Sequence, residues 1–80
     1  MTSVKNTVLN YIRAEIVRGR QIEYNTRLIT NGWVNSLDMV AVKSYLEAHY
    51  KIQIPDKMAT REAFDSVENI VGLLGKLGVR

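Results

Sequence analysis

The chain has 80 residues, a formal net charge of +3 at pH 7, one histidine and no cysteine. A length of this order makes one domain, which we assign to residues 1–80, near the lower limit of what a core can stabilise without disulfides or metals. The lack of cysteine excludes disulfides, and any thioester chemistry would need a thiol that the polypeptide does not supply. A single histidine gives no support for a metal site.

No apolar run approaches the roughly 20 residues that span a bilayer, and the N-terminal residues lack the apolar core of a signal peptide. We therefore expect a cytoplasmic protein without a membrane partner, and a monomer. The basic residues are dispersed and match no known reader motif, so no nucleic-acid partner is expected.

Apolar residues at every fourth position predict a first helix over residues 3–18, with Ser3 as its N-cap and Gly19 as its stop. Its apolar stripe consists of Val4, Val8, Ile12 and Ile16, widened by Leu9 and Tyr11. Residues 19–35 form a long connection, which turn signals at Asn25-Thr26 and Asn31-Gly32 mark. Leu28, Ile29 and Trp33 are expected to pack this connection onto the helices.

A second helix is predicted over residues 36–50, because Met39, Val42, Leu46 and Tyr50, with Tyr45, make an apolar stripe. Pro55 prevents its continuation. A short helix over 60–64 follows, and then a last helix over 66–76, with Asp65 as its cap and Glu68 in a box-like pair. The predicted fold is a small all-α antiparallel four-helix bundle, with three main helices, one short helix and a long first loop.

Ser36 stands at the start of the second helix, where Asn35 can cap the first turn. The unpaired N–H groups and the dipole of a helix start favour a negatively charged group, such as a phosphate ester. His49 lies in the same predicted helix, about 20 Å away at 1.5 Å per residue, so nothing nearby could activate the serine as a nucleophile. The pattern indicates an attachment site and no catalytic residue.

Residues 32–40, GWVNSLDMV, resemble the G-[hydrophobic]-[hydrophobic]-D-S-L-D-x-V signature of acyl carrier proteins. Residues 46–56, LEAHYKIQIPD, are similar to the family's L-E-x-x-[aromatic]-x-[I]-x-I-P-D, and residues 64–71, FDSVENIV, to its F-x-T-V-x-x-[I]-[V]. The three blocks occur in family order and at family spacing across residues 26–74. The chain therefore resembles free-standing acyl and peptidyl carrier proteins.

This resemblance implies that Ser36 carries 4′-phosphopantetheine, installed from coenzyme A by a magnesium-dependent phosphopantetheinyl transferase. The chain would then hold acyl or aminoacyl groups as thioesters, and would be a partner of enzymes rather than an enzyme. Its further partners would be a loading ligase and downstream synthases or transferases. The basic pI of about 9.5 is unlike that of acidic fatty-acid carriers and favours specialised polyketide or nonribosomal peptide-like metabolism, with fatty-acid synthesis as an alternative.

In the family, the outward face of the second helix docks partner enzymes. The residues expected to contact the arm or a partner are Trp33, Asn35, Leu37, Asp38, Val40, Ala41, Ser44 and Glu47, with Ala48 on the same face. A merely solvated face is the alternative, and for Trp33 a loop anchor. Asn35 stands where the family usually has aspartate, which leaves open an unmodified scaffold or regulatory protein with a carrier fold.

Overall fold

The computed structural model describes residues 3–79. The first helix has the predicted N-cap, Ser3. Helix α1 spans Val4–Tyr11, and the Ser3 side chain accepts a hydrogen bond from the N–H of Asn6 at 3.1 Å. This bond satisfies one of the donors that a helix start leaves unpaired. Residues 1, 2 and 80, which the predicted domain includes, lie outside the described residues.

The first helical segment, predicted over residues 3–18, becomes π-helical at Ile12 and ends at Ile16, two residues earlier than predicted. A π-helical segment spans Ile12–Ile16, and the N–H of Val17 donates to the carbonyl of Ile12 at 2.9 Å. Residues five apart lie about 140° from each other around an α-helix, whereas a wider turn brings them to one side. The π turn therefore lets both Ile12 and Val17 enter the core, where they are buried.

The long connection after residue 16 packs against the core, as its apolar residues predict. Leu28 and Ile29 are buried there, and so are Ile22 and Val34, which the sequence analysis did not single out. The side chain of Arg13 donates to the carbonyl of Ile22 at 2.7 Å and ties the connection to the first helical segment. The loop is thus a packed part of the domain rather than a free linker.

Helix α2 spans Ser36–Tyr50, the predicted bounds. Val42 and Leu46 are buried, and the other members of its predicted stripe pack against the same core while half-buried. Lys51 ends the helix in the left-handed conformation, with φ of 54°. Ile54, in the segment that follows, is also buried.

The short helix predicted over residues 60–64 is wrong. A 3-10 helix occurs earlier, at Asp56–Met58, and residues 60–64 form a single turn in which the Phe64 N–H donates to Thr60 and Arg61 carbonyls at 3.3 and 3.2 Å. The turn does not continue, since the Asp65 N–H donates to the Glu62 carbonyl at 3.2 Å rather than to that of Arg61, and the Glu62 carbonyl also accepts the side-chain amide of Asn69 at 2.9 Å. The Glu62 carbonyl is therefore occupied by groups other than the Ser66 N–H, with which a continuing helix would pair it.

Helix α3 spans Val67–Lys76, and its N-cap is Ser66, not Asp65 as predicted. The Ser66 hydroxyl accepts from the N–H of Asn69 at 3.0 Å, which leaves Asp65 available for other partners. Val67, Ile70, Leu73 and Leu74 are buried in the core, and Val71 is half-buried.

Residues 3–79 are all-helical, with three α-helices, a π-helical extension of α1 and one 3-10 helix, and with no strand. Helix α1 packs against α3, and side chains from all three helices and from the long connection form one core. The radius of gyration of 11.4 Å is close to the roughly 12 Å expected of a compact chain of this length. A four-helix bundle is not confirmed. None of the helices among the described residues has the length and apolarity needed to cross a membrane.

Candidate functional site

Ser36 is exposed and is the first residue of α2. A hydrogen-bonded turn fixes the path of the chain that leads to it. Gly32 adopts a φ of +78°, a backbone conformation that favours glycine. The N–H groups of Trp33 and Val34 then both donate to the carbonyl of Leu28, at 2.9 and 3.2 Å. Because Val34 is buried and Ser36 is not, the turn places the serine hydroxyl at the surface.

Asp65 anchors this turn from the segment before α3. One carboxylate oxygen, Oδ1, accepts the N–H groups of Ile29 and Thr30 at 2.8 and 2.9 Å. The other, Oδ2, accepts the Thr30 hydroxyl at 2.7 Å and lies 3.5 Å from Nη1 of Arg27. With the Leu28 N–H on its backbone carbonyl, Asp65 fixes the connection that leads to Ser36.

The surroundings of Asp65 favour its charged form. Burial by itself raises the pKa of this carboxyl, but the hydrogen bonds from Thr30 and Ile29 and the contact with Arg27 lower it. The net effect is a pKa below the ordinary value of 3.8. At neutral pH the anchor is therefore an ionised carboxylate with its hydrogen-bonding capacity satisfied.

The start of α2 carries a complete capping box. The Asn35 side chain accepts the N–H of Asp38 at 2.9 Å, and the Asp38 carboxylate accepts the N–H of Asn35 at 3.1 Å. Asparagine, where acyl carrier proteins usually have aspartate, therefore supplies the capping bond. The box also uses one of the donors that an incoming phosphate could have used. Within the capping box, the negative charge beside Ser36 comes from Asp38.

A shallow groove of about 370 Å³ opens beside Ser36. Its apolar surface comes from Met39 and Val40 of α2 and from Ala59 and Phe64 of the segment between α2 and α3. Lys43, Asp56 and Arg61 complete the lining. Nζ of Lys43 lies 3.1 Å from Oδ1 of Asp56, so these two charges compensate each other. A flexible group attached to Ser36 would have this partly apolar surface within reach.

The outward face of α2 carries exposed apolar side chains near its start and, near its end, an acidic side chain that is hydrogen-bonded within the protein. Leu37 is 80% exposed and Val40 61% exposed, which makes them the large apolar side chains that stand out at the surface of the described residues. Glu47, by contrast, is half-buried, and its Oε2 accepts the N–H of Ile54 at 2.8 Å. The remaining residues of this face, Ala41, Ser44 and Ala48, are exposed.

Trp33 is half-buried and packs against the core. The guanidinium of Arg20 lies over its ring at 4.6 Å from the centroid, within the range of cation–π attraction. These contacts agree with the loop-anchor interpretation and leave its role toward an arm a prediction.

His49 belongs to an aromatic row rather than to the serine site. Its ring stacks on Tyr45 at 5.4 Å, and Tyr45 stacks on Tyr11 of α1 at 3.8 Å. Since Ser36 and His49 lie at opposite ends of α2, the histidine is about 20 Å from the serine. No group of three or more His, Cys, Asp or Glu side chains suited to a metal ion occurs within residues 3–79.

Sequence reasoning missed three residues that shape the site. Asp65 was predicted as a helix cap, although Ser66 offers an equally good cap with Asn69 three positions later. Arg61 and Phe64 reach the groove only because the chain turns back toward α2 after Pro55. Local patterns hold no signal for Arg61, whereas the Asp65-Ser66 pair could have indicated two candidate caps.

Comparison of the chain with known protein families, with curated proteins and with solved structures finds no match. The resemblance to carrier proteins therefore depends on the three sequence blocks alone.

Proposed function

We propose that this chain is a carrier protein that holds acyl or aminoacyl groups on a 4′-phosphopantetheine arm at Ser36 and presents them to partner enzymes. The observation that carries the proposal is the exposed serine at the start of α2, beside an open groove and inside a carrier-like sequence block. When attached, the arm supplies the thiol that this cysteine-free chain lacks, and with it the capacity to carry thioesters.

The residues around Ser36 fit such a group. The hydroxyl belongs to an exposed residue, and the neighbouring Asn35 and Asp38 side chains bond each other's backbone rather than that hydroxyl. The positive end of the α2 dipole favours an anionic phosphodiester at this position. The Asp65 anchor holds the turn in place, so that a transferase would meet the serine in a fixed setting.

A hydrolytic or acyl-transfer function has little support. Such chemistry needs a base within hydrogen-bond reach of the serine, and His49 is about 20 Å away along α2. Asp38, the nearest carboxylate in the helix, is committed to the N–H of Asn35. The serine is thus better suited to receive a group than to attack a substrate.

Partner enzymes would dock on the face around Leu37 and Val40. Clustered exposed apolar side chains are typical of an interaction surface when they lie beside a functional group. Both acidic residues predicted for this face, Asp38 and Glu47, already bind backbone N–H groups of the chain itself. Docking should therefore depend more on apolar contact than on charge, and we place the protein in specialised rather than fatty-acid metabolism for the same reason.

The second candidate is a scaffold or regulatory protein that keeps the carrier fold and is never modified. Asn35 favours this candidate, because it lacks the negative charge of the aspartate that acyl carrier proteins usually have here and that modifying enzymes could recognise. Asn35 forms a complete capping box, and asparagine and aspartate are comparable N-cap residues, so the helix start does not require the aspartate. The two candidates therefore differ in modification and not in structure.

The test is incorporation of a fluorescent coenzyme A analogue by a broad-specificity phosphopantetheinyl transferase. We expect labelling of the wild type and of Ser44→Ala, an exposed serine on the same helix, and none of Ser36→Ala. Equal labelling of Ser36→Ala would contradict the attachment site. Absence of labelling in all three, with a competent control carrier labelled, would favour the scaffold.

A further inference from the structure

Arg61 faces the same groove as Ser36. The two residues come from distant parts of the chain, and the turn closed by the N–H of Phe64 brings them to one cavity. Because Phe64 is buried at 2% exposure, the backbone that carries Arg61 is held close to the core. The guanidinium is thus delivered to the groove by an anchored turn, while the side chain itself is exposed.

The other charged residues that line the groove, Lys43 and Asp56, are paired with each other. Ion pairs among residues 3–79 are Glu15–Arg18, Arg27–Asp65 and Lys43–Asp56, and none of them includes Arg61. Asp38 bonds the N–H of Asn35. Arg61 is therefore the cation of this groove that has no carboxylate partner within ion-pair distance in the described residues.

We infer that Arg61 is a positioning residue that pairs with the phosphodiester formed on Ser36. The pairing holds the arm's root, meaning its phosphate end attached to the serine, along the groove. This inference depends on the proposed function, since the phosphodiester is the group it explains. The planar fork of a guanidinium matches two phosphate oxygens, and such charge-assisted bonds are stronger than neutral ones. Arg61 would attract the arm's anion to the groove by its charge, and the apolar lining could then contact the arm beyond the phosphate.

Pairing in this position also balances the charge at the start of α2. The carboxylate of Asp38 lies two residues after Ser36, and a phosphodiester there adds a second negative charge. Arg61, which lines the same groove, would offset that repulsion. Ordering of the arm's root by Arg61 would weaken at high salt, because screening reduces attraction between exposed charges.

The experiment is NMR spectroscopy of the intact protein before and after loading from coenzyme A. In the wild type, we expect the Arg61 Nε–H resonance to shift on loading and the Arg18 resonance to stay unchanged. In Arg61→Gln, we expect a narrower ³¹P phosphodiester line, because the arm moves more freely. Arg18→Gln is the matched control, since it removes the same charge elsewhere and should keep the wild-type linewidth.

Intact mass separates failure of this inference from failure of the proposed function. If Ser36 accepts the arm but Arg61 shifts no more than Arg18, and the ³¹P line is the same in Arg61→Gln, the pairing is wrong and the carrier function stands. If wild type and Arg61→Gln differ at low salt and converge at high salt, the pairing is supported. Should Ser36 never accept the arm, the proposed function and this inference would both be wrong.

Discussion

The carboxylate of Asp65 accepts two hydrogen bonds from Thr30, one from the Thr30 backbone N–H at 2.9 Å and one from the Thr30 hydroxyl at 2.7 Å. The pair joins the segment before α3 to the connection that leads into α2. Because the carboxylate is buried and fully engaged, it positions the turn before Ser36 without touching the serine. The presentation of the site therefore depends on a contact between residues far apart in sequence.

Replacing Asp65 should lower the stability of the domain. Asp65→Ala leaves the N–H groups of Ile29 and Thr30 without their acceptor, and losing a buried, charged acceptor of this kind typically costs about 3 kcal/mol. The free energy of unfolding from urea titration measures the loss. Asp56→Asn is the control, because the Asp56 side chain is 99% exposed, and its effect should stay within about 0.5 kcal/mol. Equal effects of the two substitutions would contradict the anchor.

Acid should weaken the fold through the same residue. The pKa of Asp65 is lower in the folded protein than its ordinary value of 3.8, so its ionised form contributes stability above about pH 4. That contribution is lost as the pH falls below 4 toward the folded-state pKa. In urea titrations between pH 6 and pH 2, we expect Asp65→Asn to show a smaller decrease than the wild type. Parallel pH profiles would mean that Asp65 does not carry this dependence.

The capping box predicts how substitutions at Asn35 behave. Asn35→Asp keeps an acceptor for the Asp38 N–H and should change stability by less than about 0.5 kcal/mol, whereas Asn35→Ala should cost about 1 kcal/mol. Urea titration measures both. Since aspartate is the residue that acyl carrier proteins usually have at this position, the proposed function predicts that Asn35→Asp is loaded by the transferase at least as fast as the wild type. Slower loading of this variant would show that the asparagine itself is recognised.

The sequence predicts most of what is local and little of what is distant. The caps at Ser3 and Asn35 follow from side chains that bond the backbone three residues later, so short motifs reveal them. The bounds of α2 follow from its apolar spacing and from Asn35. In contrast, the π turn at residues 12–16 depends on which residues the core accepts, and periodicity alone gave a plain helix.

The same limit explains the candidate site. Ser36 and the exposed Leu37 and Val40 could be placed from one helix. The groove could not, because Arg61 and Phe64 reach it through a loop whose path depends on the bond between Leu28 and Asp65. The bonded residues are separated along the chain by the whole of α2 and its flanking segments, so local patterns do not reveal the bond.

Polar substitution of the apolar pair on α2 should affect docking but not folding. In the double variant Leu37→Ser with Val40→Ser, both side chains are largely exposed, so the free energy of unfolding should change by no more than about 1 kcal/mol. The kcat/KM for loading of the double variant by the transferase should be lower than that of the wild type. The kcat/KM of the wild type should depend only weakly on salt concentration, because apolar contact is not screened. Ala48→Ser, farther along the same helix, is the control. A steep loss of wild-type loading between low and moderate salt would contradict docking by apolar contact.

The central claim is tested most directly by the intact mass of the protein after incubation with coenzyme A, magnesium and a broad-specificity phosphopantetheinyl transferase. The account predicts a gain of one phosphopantetheine group, located at Ser36 by fragmentation and absent in Ser36→Ala. An unchanged mass, under conditions in which a control carrier is fully loaded, would contradict the carrier function.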